Sequence, residues 1–199
     1  ESFIENGKFP IAQAQELYAG MGDLSASHFT NYPPLNQLCF VIAGLFAGKS
    51  ILGSAIILRL IIIAADFGTL YYGKKLLEKL KIPAHNIFWY ILNPFIIIEL
   101  TGNLHFEGVM IFFLLWSLYL LHSGKWKLAA VVFACSVSIK LIPLLFLPLF
   151  YEWFTKRETS TKLKITKLMS FYAIVGTTTI LLFLPFYSSQ FVSNYAETV

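Results

Sequence analysis

From residue 35 onward the chain alternates long apolar runs with short polar breaks. Residues 35–47 make a first run, too short to span comfortably. Residues 50–73 are long enough to cross a bilayer, at about 1.5 Å of rise per residue. Further runs follow at 86–101, 104–122, 126–139, 141–154 and 168–187. The pattern predicts an all-α fold: a polytopic transmembrane helical bundle of about six spans, with 35–47 as a re-entrant or interfacial helix.

The stretch before these runs is different. Residues 1–34 carry Glu1, Glu5, Glu16 and Asp23 against Lys8, and Gln13, Gln15 and Glu16 suggest a short amphipathic helix. A turn-rich segment from Gly20 to His28 follows, then Asn31-Tyr32-Pro33-Pro34-Leu35, whose prolines suit a helix start and no helix interior. The expected organisation is an external loop over 1–34, a transmembrane domain over 35–187 and the beginning of another external loop over 188–199. Polar first residues and an apolar run near the end read as an internal fragment of a longer membrane protein.

Composition sharpens this. Hydrophobic residues make up 57% and charged residues only 13%, about half the roughly 25% of a soluble domain. That excludes an ordinary soluble globule and a disordered chain. Aromatic residues reach 17%, which suits lipid-facing helices with interfacial belts. The net charge of +4 is distributed unevenly. Lys74, Lys75, Lys79 and Lys81 form one basic loop, Lys125 and Lys127 a second, and Lys156, Arg157, Lys162, Lys164 and Lys167 a third. Lys and Arg accumulate on the cytoplasmic side, so all three clusters are expected inside. The first loop, the 101–108 segment and the 138–143 segment are then external. The basic charge reads as membrane topology and implies no nucleic acid. Cys39 and Cys135 sit in apolar runs as small buried hydrophobes, with no disulfide framework.

Polar chemistry is concentrated in Gly102-Asn103-Leu104-His105-Phe106-Glu107-Gly108, which places an amide, an imidazole and a carboxylate between two apolar runs. Ionisable groups at membrane depth are costly and usually face a cavity or a partner. One reading is a helix start, with Asn103 as cap and Glu107 on the N-terminal dipole. The other is a polar wall for a hydrophilic substrate, built from Asn103, His105 and Glu107. Lys140, before Pro143, either snorkels to the interface or binds a lipid-linked phosphate. Arg59 and Asp66 lie seven apart, on nearly one helix face; Asp66 suits a structural network and Arg59 also a phosphate. Tyr32 suits stacking on a sugar or an interfacial belt. Asn93-Pro94 interrupts the 86–101 helix. His28, His85 and His122 are isolated and receive no role. There is no P-loop, no GxGxxG, no HExxH, no Cys-based metal pattern and no N-glycosylation sequon, so nothing points to ATP, a dinucleotide or DNA.

The order Tyr32-Pro33-Pro34-Leu35, a span holding Asp66, Asn93-Pro94, Gly102 through Glu107, and Ser138-Ile139-Lys140-Leu141-Ile142-Pro143 resembles the GT-C membrane glycosyltransferases. It is most similar to the polyprenol-phosphate-mannose-dependent mannosyltransferases, with a like string of motifs in the catalytic subunit of GPI mannosyltransferase I. The resemblance spans roughly residues 30–155.

It implies a polytopic helical enzyme that moves a hexose, mannose above all, from a polyprenyl-phosphate donor to a glycan or glycolipid hydroxyl on the external face, with inversion. Lys140 and Arg59 would hold the donor phosphate. Tyr32, Asn103, His105 and Glu107 would bind the sugar or acceptor. The family's general base, a carboxylate just after the first transmembrane helix, is expected before Glu1. The resemblance fixes no cofactor; a divalent metal, if one is used, would bind His105 or Glu107. The expected location is a membrane, the bacterial inner membrane ahead of the endoplasmic reticulum. The competing reading is a polytopic transporter or lipid flippase, which fits broken helices but predicts an internal repeat that the chain does not show.

Overall fold

The computed structural model describes residues 32–157 and 160–187, with isolated positions 20 and 193. The expected amphipathic helix near Gln13–Glu16, His28 and the 188–199 loop lie outside them, apart from position 193. Among the described residues the chain is predominantly helical, with no strand.

Helix α1 (Pro34–Phe46) starts where expected, with Pro34 in its first turn and Pro33 extended before it. At 13 residues it is too short to cross a bilayer that needs about 20. Gly48 and Lys49 close it, both left-handed at φ 58° and 65°. Ser50 then caps α2 (Ile51–Lys79), its hydroxyl accepting from the Gly53 amide at 3.1 Å. Helix α2 is about 44 Å long, more than the roughly 30 Å hydrocarbon core requires. Its last turns therefore carry Lys74, Lys75 and Lys79, which the hydropathy pattern places in a loop; the helix ends at Lys79, and the left-handed Lys81 follows its cap.

The expected span at 86–101 is not one helix. It breaks into a 3-10 turn (Ala84–Ile87), α3 (Phe88–Ile91), α4 (Pro94–Ile96) and a π-turn (Ile97–Gly102). Asn93 stops one piece and starts the next: its Oδ1 accepts from the Phe95 amide at 3.0 Å while Pro94 opens α4. Helix α5 (Glu107–His122) then leaves at 111° to the segment before it. A tight turn at Gly124, φ 78°, leads to α6 (Trp126–Val137), which is about 18 Å long. The expected span at 141–154 is a 3-10 turn (Ile142–Phe146) followed by α7 (Leu147–Arg157). Helix α8 (Thr161–Phe183) takes up Lys162, Lys164 and Lys167 as well.

Among the described residues two helices can cross a membrane by length and apolarity, α2 and the segment Lys162–Phe186, or three if the bent pair 94–102 with 107–122 counts as one. The expected six is corrected accordingly. Apolar composition continues through the breaks, but prolines and the Asn93 stop divide the backbone into pieces too short to span.

Helices α5 and α6 form a closely packed antiparallel hairpin. Ala129, Ala130 and Ala134 are fully buried and let the backbones approach closely. Two buried hydroxyls bridge the pair: Ser117 donates to the Ala129 carbonyl and Ser136 to the Met110 carbonyl, each at 2.8 Å. Helix α2 packs on α5 through Gly68, where a Cβ would sit 2.4 Å from the Phe112 ring. Phe133, Phe150, Phe154 and Phe171 join α6, α7 and α8 in one aromatic core. A smaller core of Cys39, Ile62, Phe106, Met110 and Ile139 joins α1, α2, α5 and the end of α6. Large apolar side chains on the outer face of α2, Leu52, Leu60 and Phe67 among them, remain exposed, as lipid-facing positions would be.

This packing gathers five lysines, Lys75, Lys79, Lys125, Lys127 and Lys156, at one end. Lys75 and Lys79 lie over the rings of Tyr71 and Tyr119, at 4.2 and 5.5 Å from the centroids. The α5–α6 turn, with Lys125 and Lys127, follows Tyr119 directly. His122 packs tilted against Trp153 at 4.0 Å and Trp126 meets Phe154 edge-on at 6.2 Å, which brings Lys156 to the same end.

Candidate functional site

At the opposite end the sequence brings three chain segments together. The amide of Leu35 donates to the Ser138 carbonyl at 2.9 Å, so the exit of α6 satisfies the first turn of α1. Lys140 emerges just after α6, its amide still bonded to the Ser136 carbonyl at 3.3 Å. Glu107 stands in the first turn of α5, where the helix dipole favours a carboxylate. Because α5 and α6 are antiparallel, these two positions face each other, and the Lys140 ammonium donates to Glu107 Oε1. On the other side His105 Nδ1 lies 3.8 Å from Glu107 Oε2. The carboxylate is thus held between an ammonium and an imidazole, all half-exposed or less buried than the core.

These groups border a cavity of about 360 Å³, lined further by Tyr32, Asn36, Phe40, Leu58, Asn103 and Phe106. Its volume falls in the range of small-molecule sites, roughly 300–1,000 Å³. One wall is aromatic: Phe40 meets Tyr32 edge-on at 5.8 Å and Phe106 at 5.6 Å. The facing wall is polar and charged. Flat apolar rings opposite hydrogen-bonding groups match a sugar, which has an apolar face and a rim of hydroxyls.

The structure brings five of the six expected site residues, Tyr32, Asn103, His105, Glu107 and Lys140, to this one cavity. Arg59 is not in its lining. Its Nε and Nη2 donate to the carbonyls of Thr101 and Gly102 at 3.2 and 3.0 Å, at the end of the π-turn. Asp66 takes the Thr101 hydroxyl at 2.9 Å. Arg59 and Asp66, two helical turns apart on α2, therefore fasten the segment that carries the polar motif.

Asn103 does not cap α5. Phe106 holds that position without a side-chain bond, and Asn103 Nδ2 donates to Glu99 Oε2 at 3.0 Å. Between Asn103 and His105 the backbone of Leu104 is left-handed, φ 59°, a conformation that costs a bulky residue about 1–2 kcal/mol. The His105 amide bonding to the Leu100 carbonyl at 2.9 Å holds it there.

Two residues escape a reading of the sequence. Glu99 is a carboxylate inside an apolar run, four before Asn103, and its cost at membrane depth is a signal that could have marked it. Asn36 is 1% exposed; its Nδ2 donates to the Ile139 carbonyl at 3.4 Å, while its Oδ1 is buried without a hydrogen-bond partner. An unsatisfied buried acceptor costs about 1–3 kcal/mol. Its position two residues after Pro34 gives no sequence signal. His85 is exposed, and His122 Nδ1 pairs with the Leu118 carbonyl at 3.0 Å, far from the cavity's walls. Among the described residues no three His, Cys, Asp or Glu side chains gather as metal ligands. Cys39 lies in the core beneath the cavity, and Cys39 and Cys135 are both free thiols.

Residues 9–156 match the family model of the alpha-(1->6)-mannopyranosyltransferase N-terminal domain, and the chain belongs to this family. No curated protein and no solved structure matches it. Its apolar helices and its family together mark it as a membrane protein and a mannosyltransferase domain.

Proposed function

We propose that this mannosyltransferase domain takes mannose from a polyprenyl-phosphate carrier and transfers it to a glycan or glycolipid hydroxyl on the external face of its membrane. One observation carries the reading: Lys140, Glu107 and His105 share a cavity with an aromatic wall, at the end of the bundle opposite Lys75, Lys79, Lys125, Lys127 and Lys156. Lysines accumulate on the cytoplasmic side, so the cavity opens externally in this account. The bacterial inner membrane is the expected setting.

In the reaction the acceptor oxygen attacks the anomeric carbon as the bond from that carbon to the phosphate oxygen breaks. Polyprenyl phosphate departs with the electron pair, and the acceptor proton passes to a base. Lys140 has three N–H donors and gives one to Glu107, leaving two for the developing phosphate charge. Glu107 holds that ammonium in place, and its charge is engaged there, so the base is not assigned to it. His105 and Asn103 orient hydroxyls, and Tyr32 offers its face to the ring. Arg59 acts in this account through the 101–102 carbonyls, as a positioning residue for the polar segment. The family's α-(1→6) linkage makes a primary 6-hydroxyl the acceptor group.

The bend of 111° at the site also fits a transporter or flippase with broken helices. Purified full-length protein offered polyprenyl-phosphate mannose beside a nucleotide-linked mannose separates the readings. Transfer from the lipid donor alone is expected. Transfer from the nucleotide donor alone would overturn the donor assignment, and solute or lipid flux without transfer would favour the transporter. A reporter placed after Lys81 should be cytoplasmic; an external one would overturn the assigned face.

A further inference from the structure

Asn36 adds something that neither the motif order nor the family match supplies. Its orientation is fixed, because a carbonyl can only accept and Nδ2 is therefore the atom facing Ile139. Oδ1 is then the unpartnered atom, buried, on a residue that lines the cavity. No side chain of the cavity lining donates to it. Lys140 donates to Glu107, and Asn103 donates to Glu99. Buried polar atoms nearly always find a partner, so the missing donor is expected from whatever occupies the cavity. Tyr32 and Phe40 stand four residues before and after Asn36, with their rings 5.8 Å apart on the same lining. A pyranose offers both, a hydroxyl donor and an apolar face for the rings.

We propose that Asn36 is a specificity-determining residue, its carboxamide oxygen accepting a hydrogen bond from one ring hydroxyl of a hexopyranose held against Tyr32 and Phe40. The inference rests on the cavity being the sugar site of the proposed transferase, and it names the contact that selects the sugar.

The test uses the full-length protein and methyl α-mannoside with its monodeoxy analogues, followed by saturation-transfer NMR. In the wild type, loss of one particular hydroxyl should weaken binding about tenfold more than loss of the others. Asn36→Ala should bind methyl α-mannoside about tenfold more weakly and lose that discrimination. Asn36→Asp, which keeps an acceptor oxygen, should retain it. The discrimination is a ratio within one preparation, so a partly folded variant still reports it, and thermal unfolding of each variant gives the folded fraction. Equal discrimination in Asn36→Ala and wild type would overturn the inference, as would a uniform loss across all analogues or no sugar binding by the wild type. Selective binding with no transfer from polyprenyl-phosphate mannose would instead overturn the enzymatic reading and leave the Asn36 contact standing.

Discussion

Glu107 and Lys140 pair across 33 residues of chain, the carboxylate from the first turn of α5 and the ammonium from just beyond α6. The α5–α6 hairpin sets this meeting. Its buried hydroxyl bridges and alanine-lined contact fix the relative height of the two helices, and so the distance between the two charges.

Glu107→Gln keeps the shape of the side chain and removes its charge. The pair is partly exposed, so the change in stability should be small, within about 1 kcal/mol. Activity should respond more strongly, because Lys140 loses the group that aims it; kcat/KM should fall at least about tenfold. Steady-state kinetics beside thermal unfolding checks both halves. An unchanged kcat/KM would remove Glu107 from the site.

Arg59→Lys retains the charge and loses the planar fork that reaches two carbonyls at once. The segment from Ile97 to His105 should loosen, with faster amide exchange at Asn103 and His105, whose amides bond to the Ile98 and Leu100 carbonyls. About a tenfold loss of kcat/KM should accompany it. Exchange rates equal to the wild type would show that Arg59 does not hold the segment.

How far the sequence carried this account differs between fold and site. The all-helical class follows from apolar runs, and the α1 start from Pro33-Pro34. The number of spans does not follow, because hydropathy measures transfer from water and is blind to Asn93 and Pro94 ending a helix. Helix ends were misplaced for a related reason: Lys74, Lys75 and Lys79 are good helix formers, so α2 continues past the apolar run. At the site, charged residues inside apolar segments stood out by their cost, which exposed His105, Glu107 and Lys140. Asn36 did not stand out, since its role depends on the Ile139 carbonyl across the bundle. Arg59 stood out as a charge inside an apolar run, while its contacts depend on the π-turn carbonyls lying beside it.

Ser136→Ala removes the hydroxyl bond to the Met110 carbonyl and leaves that acceptor with one partner fewer. The expected cost is about 1 kcal/mol. Phe133→Ala, at a fully buried ring in contact with Phe150 and Phe171, should cost about 3–5 kcal/mol. Thermal unfolding in one detergent should order the variants wild type, Ser136→Ala, Phe133→Ala. A Phe133→Ala variant as stable as Ser136→Ala would contradict the placement of the aromatic core.

Burial pushes the Cys39 thiol up to about 11. Thiolate is the reacting form, so Cys39 carries little of it at neutral pH. Maleimide should label Cys39 slowly in the folded protein, in a Cys135→Ala background, and rapidly after denaturation. Rapid labelling of the folded form would mean that the core beneath the cavity is open.

The central claim is that the cavity around Lys140 receives the donor phosphate. Turnover of polyprenyl-phosphate mannose by full-length wild type, Lys140→Ala and Lys140→Arg tests it most directly. Loss of one donor to a developing anion typically costs about 10²–10³ in kcat. The account predicts a loss of that order for Lys140→Ala and partial recovery in Lys140→Arg, which restores the charge. Wild-type kcat in Lys140→Ala would contradict it.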